Sequence, residues 1–275
     1  MTYQVQCQKT VRRKEMYWIN KPKENIAGHL YLDAFDQDRD QVIKKAIELG
    51  VDRFYLPAID SSYTERMLDL EKKYPNRIRL MMGLHPTHVK ENYLDELKHV
   101  EKYLTKHDFV AVGEIGIDLY WDKTSLKKQQ DAFNLQIQWA KDKGLPIVIH
   151  CRDAFDQVFE VLEGYRGNHL SGIFHCFTGT KEQADRAISL NLKLGIGGVI
   201  TFKNGKINRF LDQIPIDHIV LETDAPYLAP VPFRGKRNQS EYLIYILRKL
   251  AEIHQRSEKD LAEITSQNAL SVFKR

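Results

Sequence analysis

Cysteine is scarce in this 275-residue chain: Cys7, Cys151 and Cys176 are the whole supply. An odd and sparse set does not build a disulfide framework, and a reducing, cytoplasmic compartment is the expectation. Long apolar runs are missing as well. No window reaches the roughly 20 apolar residues a membrane helix needs, and the opening stretch MTYQVQCQKTVRRKEMYW lacks the apolar core of a secretory signal, so no membrane partner is expected. Charge of one sign is not in excess either. The 41 Lys and Arg stand against 37 Asp and Glu, for a net charge of +4. That balance tolerates an acidic substrate without pointing to one. There is no Walker-type phosphate loop and no dinucleotide fingerprint; Gly195-Ile196-Gly197-Gly198 does not fit either pattern. With no linker, low-complexity tract or short internal repeat, one domain is expected over residues 17–275, preceded by a polar extension at 1–16.

What the chain does have is two alternating periods. Short apolar, β-rich runs occur at 53–58, 78–85, 109–117, 146–150, 172–177, 193–201 and 218–222. Helical stripes lie between them: Val42, Ile43, Ala46 and Ile47; Leu94, Leu97, Val100 and Leu104; residues 126–140; and Phe155, Val158, Phe159 and Leu162. Gly50, Gly144 and Gly164 follow three of these stripes as stop signals. Ser62 with Glu65, and Thr180 with Gln183, have capping-box spacing. Regular strand–helix alternation predicts parallel strands with crossover helices. Seven strands are clear and an eighth fits at 17–20 or 25–30. The count predicts an α/β fold of the (β/α)₈ TIM-barrel type.

The polar residues fall in a pattern. One run ends in His85 and His88, the next in Glu114 and Asp118, the next in His150, Arg152 and Asp153, the next in His175, and the last in Glu222 and Asp224. Burial in mid-sheet would be costly for such groups. At the carboxyl ends of barrel strands they converge on one mouth, where barrel enzymes keep their sites. Strand parity puts His150 on the face of Val148, His175 on that of Ile173, and Asp224 on that of Glu222. The same parity turns Cys151 and Cys176 away, as small core residues. Histidines and carboxylates from separate strands form an N/O donor set suited to Zn²⁺, Mn²⁺ or Mg²⁺. Such an ion acidifies water and polarises a phosphoryl or carbonyl oxygen, with Asp224 or Glu222 placed to take the proton. Thr180 reads as a helix cap, Asp153 as a cap or a site residue, and Asp118 as a loop cap or a ligand contact. Arg152 shares the face of His150 if that strand extends so far, and Arg234 and Arg237 follow the last strand in a loop that could clamp phosphate.

These residues resemble a known family. Gly83-Leu84-His85-Pro86, Gly113-Glu114-Ile115-Gly116-Ile117-Asp118, His150-Cys151-Arg152-Asp153, Phe174-His175-Cys176-Phe177-Thr178-Gly179 and Glu222-Thr223-Asp224-Ala225-Pro226-Tyr227-Leu228 are similar to the motifs of the TatD family of metal-dependent deoxyribonucleases. Arg234-Gly235-Lys236-Arg237-Asn238 and the stretch from Asn268 to Phe273 fit too, so the likeness covers about residues 29 to 275. It implies an amidohydrolase-type barrel with one or two divalent ions and Glu114, His150, His175 and Asp224 at the metal centre. It places His85 nearby, and implies phosphodiester hydrolysis, typically exonucleolytic on DNA. On that reading Asp224 is the base, His85 and the arginines hold phosphate oxygens, and DNA is the partner; nothing in the pattern sets an oligomeric state.

One departure stands out. The family often carries Asp-Thr-His-x-His-Leu at the end of its first strand, and the matching stretch here is Asn25-Ile26-Ala27-Gly28-His29-Leu30. The first histidine is Ala27. The expectation is a single-metal centre, or a second ion held weakly, with His29 either a ligand or structural. Two alternatives follow: a barrel hydrolase of small esters or amides, and a catalytically weakened member that binds nucleic acid or a protein.

Overall fold

A computed structural model describes residues 23–167 and 170–273. Eight strands form one sheet in sequence order, every neighbouring pair parallel: β1 Glu24–Ile26, β2 Arg53–Leu56, β3 Ile78–Met82, β4 Ala111–Asp118, β5 Ile147–Arg152, β6 Gly172–Phe174, β7 Leu192–Ile196 and β8 Ile219–Leu221. A parallel bridge between Ile26 and Glu222 brings the first strand to the last, closing the barrel. The expected TIM-type barrel is therefore the fold. Its first strand falls at the later of the two expected places; 17–20, like the 1–16 extension and Cys7, lies outside the described residues.

Helices α1 Arg39–Glu48, α2 Thr64–Lys73, α3 Tyr93–Lys106, α4 Leu126–Lys143, α5 Phe155–Glu163 and α6 Lys181–Ser189 each follow a strand. Between β7 and β8 the chain makes 3₁₀ turns, and β8 is followed by α7 Leu243–His254 and α8 Glu258–Val272. Helix ends obey the sequence in part. Gly144 ends α4 in the left-handed conformation, and Thr180 with Gln183 forms a reciprocal capping box on α6. Other expectations fail. Asp60, not Ser62, caps the turn leading into α2, because a 3₁₀ turn intervenes before the helix starts. Ala154, not Asp153, occupies the N-cap of α5, and no side chain caps it. Leu94, at the start of the α3 stripe, is exposed.

Two apolar layers follow from strand parity. Val112, Ile147, Ile149, Phe174, Leu192 and Leu194 point outward into the large core beneath the helices. Ile26, Tyr55, Met81, Ala111, Val148, Ile173 and Val220 fill the barrel interior, where Phe273 stacks on Tyr55 with ring centroids 4.3 Å apart. Asn268 secures the C-terminal helix beneath the barrel through hydrogen bonds to the carbonyls of Ile216 (2.8 Å) and Ile219 (2.7 Å). The interior is a packed plug, and barrels of this type carry their sites above it, at the carboxyl ends of the strands.

Candidate functional site

Alternation beyond Val148 and Ile173 turns His150 and His175 into the mouth above the plug. Glu114 gets there differently. Strict alternation from the outward-facing Val112 would turn it outward as well. The register of β4 against β5 shifts between Gly113 and Ile115, so one extra residue is inserted and Glu114 is re-aimed inward. Past the strand ends the backbone leaves the extended region: Ala27, Asp153, Cys176 and Asp224 all have φ between 42° and 57°. Left-handed conformations are unfavourable for such residues and gather at functional sites.

Glu114 is the hub. Its carboxylate lies 3.2 Å from His150 Nδ1, 3.5 Å from His175 Nε2, 3.6 Å from His29 Nε2 and 3.8 Å from His85 Nε2. Asp224 lies 3.5 Å from His175 Nε2 and 3.8 Å from His29 Nε2. The six residues thus form two lobes that share Glu114, with His85 and His150 on one side and His29, His175 and Asp224 on the other. Within the first lobe, ligand atoms of His85, Glu114 and His150 lie within 4.8 Å of one another.

Hydrogen bonds at the far nitrogens orient the rings and select a tautomer for metal binding. His175 Nδ1 donates to Glu222 Oε2 at 2.9 Å, leaving its Nε2 lone pair for the mouth. His150 lies between two carboxylates, with Nε2 2.8 Å from Asp118 Oδ2 and Nδ1 3.2 Å from Glu114 Oε1; a proton kept on Nε2 by Asp118 leaves Nδ1 as the ligand atom. For His29, the Tyr31 hydroxyl spends its proton on the carbonyl of Pro57 (2.7 Å) and so accepts from Nδ1 at 2.9 Å; Nε2 is again bare. His85 is the opposite case. Its Nδ1 accepts the backbone N–H of Thr87 at 3.2 Å, so the neutral ring carries its proton on Nε2, which faces the mouth as a donor. In the neutral tautomers these contacts select, His29, His150 and His175 offer a lone pair to the mouth, while His85 offers a proton.

Among themselves, the rings and carboxylates compensate one another's charge. Burial pushes the Glu114 carboxyl up, but His175, His150 and His85 outweigh it and hold it well below the usual carboxylate range. Burial pulls His175 down, yet Glu114 and Glu222 hold it well above its ordinary value. His150 is likewise held up, by Asp118 and Glu114 against burial. His85 and His29 are pulled down by burial, which dominates at both.

Do these residues fit a divalent ion? Glu114 Oε2 is buried with no hydrogen-bond partner. Lone pairs of three histidines and two carboxylates face one another, an arrangement that a cation completes. Separations of 3.2–3.8 Å are close to those of donor atoms that share an ion at bond lengths of about 2.0–2.2 Å. The set fits.

Several side chains have roles that sequence reasoning left open. Asp118 is both loop cap and partner of His150: its Oδ1 accepts the N–H groups of Tyr120 (3.0 Å) and Trp121 (3.4 Å). Glu222 is fully buried and committed to His175 and the N–H of Cys176 (2.6 Å), which removes it as a base and leaves Asp224 as the half-buried carboxylate at the mouth. Asn25 bonds Ser240 and Thr223 beneath the site. Arg152 and Arg234 are exposed, their guanidinium groups lying over Tyr120 and Phe202. Arg237 is different: it is paired with Asp38 at 2.6 and 2.8 Å and packs over Phe35, so its fork is already filled. Cys151 packs against the outer core, as parity required.

Comparison with known proteins agrees with this geometry. The family described as TatD related DNase matches residues 26–274. An uncharacterized metal-dependent hydrolase of Bacillus subtilis, YabD, is 35% identical over 248 residues, covering 90% of this chain and 97% of that protein. The 3′-5′ ssDNA/RNA exonuclease TatD of Pectobacterium parmentieri is 30% identical over 256 residues, covering 91% and 98%. The crystal structure of YjjV, a TatD homolog from Escherichia coli K12, superimposes with a TM-score of 0.86 at 27% identity, covering 92% of this chain and 98% of that one. No described helix is long and apolar enough to cross a membrane. This chain belongs to the TatD family, that of the TatD related DNases, whose relatives include proteins named as metal-dependent hydrolases.

Proposed function

We propose that the protein is a metal-dependent phosphodiesterase that releases nucleotides from the ends of single-stranded DNA. The observation that carries this reading is the convergence of His29, His85, His150 and His175 on the buried Glu114 carboxylate, 3.2–3.8 Å away, with Asp224 beside them. Glu114, His150, His175, Asp224 and His29 would hold the ion or ions, Mg²⁺, Mn²⁺ or Zn²⁺. A divalent ion there supplies Lewis-acid polarisation of the phosphoryl oxygen and acidifies water.

The chain's own residues do the rest. Asp224, half-buried at the mouth, accepts the proton of the attacking water. His85 donates its Nε2 proton to a phosphate oxygen, and its lowered pKa keeps it a neutral donor. Arg152 and Arg234, both exposed beside the mouth, meet the phosphates of the strand. Ala27 is a buried methyl where relatives often carry a histidine. The lobe of His29, His175 and Asp224 is therefore one donor short, and an ion there is held more weakly than in a full site. The names of relatives, among them a 3′-5′ ssDNA/RNA exonuclease, support the substrate class.

The test is nucleotide release from single-stranded DNA with Mg²⁺, Mn²⁺ or Zn²⁺ added, beside Glu114→Ala. Metal-dependent release that the variant lacks supports the reading. No release by folded protein with any of the three ions overturns it in favour of an ester or amide hydrolase, or of a barrel that only binds.

A further inference from the structure

Above the β4 and β5 ends the structure exposes rings that the fold does not need. Tyr120 is 51% exposed and Trp121 is 71% exposed, the latter the most exposed large hydrophobic side chain among the described residues. The two rings meet edge to face with centroids 4.8 Å apart. The guanidinium of Arg152 lies 3.6 Å from the Tyr120 centroid and 5.7 Å from that of Trp121. It makes no hydrogen bond or ion pair of its own among the described residues. A guanidinium stacked on a ring keeps its in-plane N–H groups free for phosphate.

This cluster is anchored to the candidate centre. Asp118 accepts the backbone N–H groups of both Tyr120 and Trp121 on one oxygen and binds His150 with the other. Gln129 of α4 clamps Asp118 from below through its N–H (2.8 Å) and its carbonyl (3.0 Å). Leu119 donates to the carbonyl of Arg152 at 2.9 Å, tying the β4 and β5 loops together. The rings are thus held at a fixed place relative to His150. A second cation–ring pair, Arg234 over Phe202 at 3.7 Å, follows β7 and β8 at the same mouth.

We infer that Trp121, with Tyr120 and Arg152 behind it, is a stacking platform for a nucleobase of single-stranded nucleic acid, close to the phosphodiester presented to the Glu114 centre. The inference rests on the proposed nuclease reading and adds how the strand is gripped. Every base has a flat π face, so the platform gives affinity with little sequence preference, while Arg152 meets the adjacent phosphate. A small ester or amide has no use for such a surface. A base-paired end presents its base less readily than a free strand does.

The experiment measures binding of a labelled eight-residue oligothymidylate to the full chain by fluorescence anisotropy, in chelator so that no cleavage occurs. It is repeated with an abasic strand of equal length and charge. The wild type is expected to bind the thymidylate about tenfold more tightly than the abasic strand. Trp121→Ala, an exposed site whose melting temperature should not move, loses that difference while its affinity for the abasic strand is unchanged. Trp121→Phe keeps most of it. Equal affinities of the wild type for both strands, or an intact preference in Trp121→Ala, overturn the platform and leave the nuclease reading standing. A wild type that binds neither strand overturns both.

Discussion

Replacing Glu222 by Gln perturbs the site without touching any atom that faces the mouth. Glu222 is fully buried and offers two acceptor oxygens to two donors, the Nδ1–H of His175 at 2.9 Å and the N–H of Cys176 at 2.6 Å. Glutamine is nearly isosteric but has one acceptor and one amide donor. If its oxygen stays with Cys176, its NH₂ group faces His175, whose neutral ring must then accept on Nδ1 and carry its proton on Nε2. That proton points at Glu114 and Asp224, each 3.5 Å away, where the lone pair had been. Losing such an outer partner costs about 10- to 100-fold in metal affinity or activity, roughly 1.4–2.7 kcal/mol. Overall stability should change little, because the variant also relieves burial of a carboxylate whose pKa burial has raised. The assay is titration calorimetry with Mn²⁺ and Zn²⁺ beside thermal melting. Gly195→Ala is a companion variant, since a Cβ at 195 would sit 2.2 Å from Glu222 Oε2 and must displace that side chain. A Glu222→Gln protein that melts like the wild type and binds metal equally well would refute the reasoning.

Three more outcomes are expected. Asp118→Asn, which keeps an oxygen for the Tyr120 and Trp121 N–H groups but cannot hold the His150 proton as the carboxylate does, should lower turnover by about 10- to 100-fold; unchanged steady-state rates would contradict that. Ala27→His should raise the number or affinity of bound ions, because residue 27 is buried at the first strand's end with φ 53°, which histidine tolerates better than most residues; unchanged metal stoichiometry and affinity would show that the missing donor is not what limits the second lobe. Adding chelator to protein equilibrated with metal at 100 times its dissociation constant should remove about 2.7 kcal/mol of stability. In a chain of this size that is a fall of roughly 5–10 °C in melting temperature, and no shift at all would mean that the folded state binds no ion.

The alternation of apolar runs and helical stripes made the barrel legible, and period-2 parity placed His150, His175 and Cys151. Where the expected strands ran long, local backbone geometry intervened. The run at 193–201 stops at Ile196 because Gly197 and Gly198 lead into a 3₁₀ turn, and 172–177 stops at Phe174 before Cys176 turns left-handed. Glu114 shows the limit of parity most clearly, since a bulge that composition does not announce brings it inward. Tertiary partners were equally hidden. Nothing near Arg237 in sequence marks Asp38 as its partner, and nothing near His29 shows that Tyr31 reaches the carbonyl of Pro57 and thereby sets the ring's proton. Glu222 did carry a signal, its two-residue spacing from Asp224, but spacing alone does not say which of two carboxylates faces the mouth and which lies beneath it.

Glu114 joins both lobes, so metal binding should depend on it more than on any single histidine. The most direct measurement is metal content after equilibrium dialysis against Mn²⁺ or Zn²⁺, for the wild type and Glu114→Ala, with circular dichroism confirming that both are folded. At least one ion retained per wild-type chain, and a loss of binding in the variant, is the predicted result. Equal retention by the two folded proteins would contradict the assignment of Glu114 as the shared ligand, and with it the proposed centre.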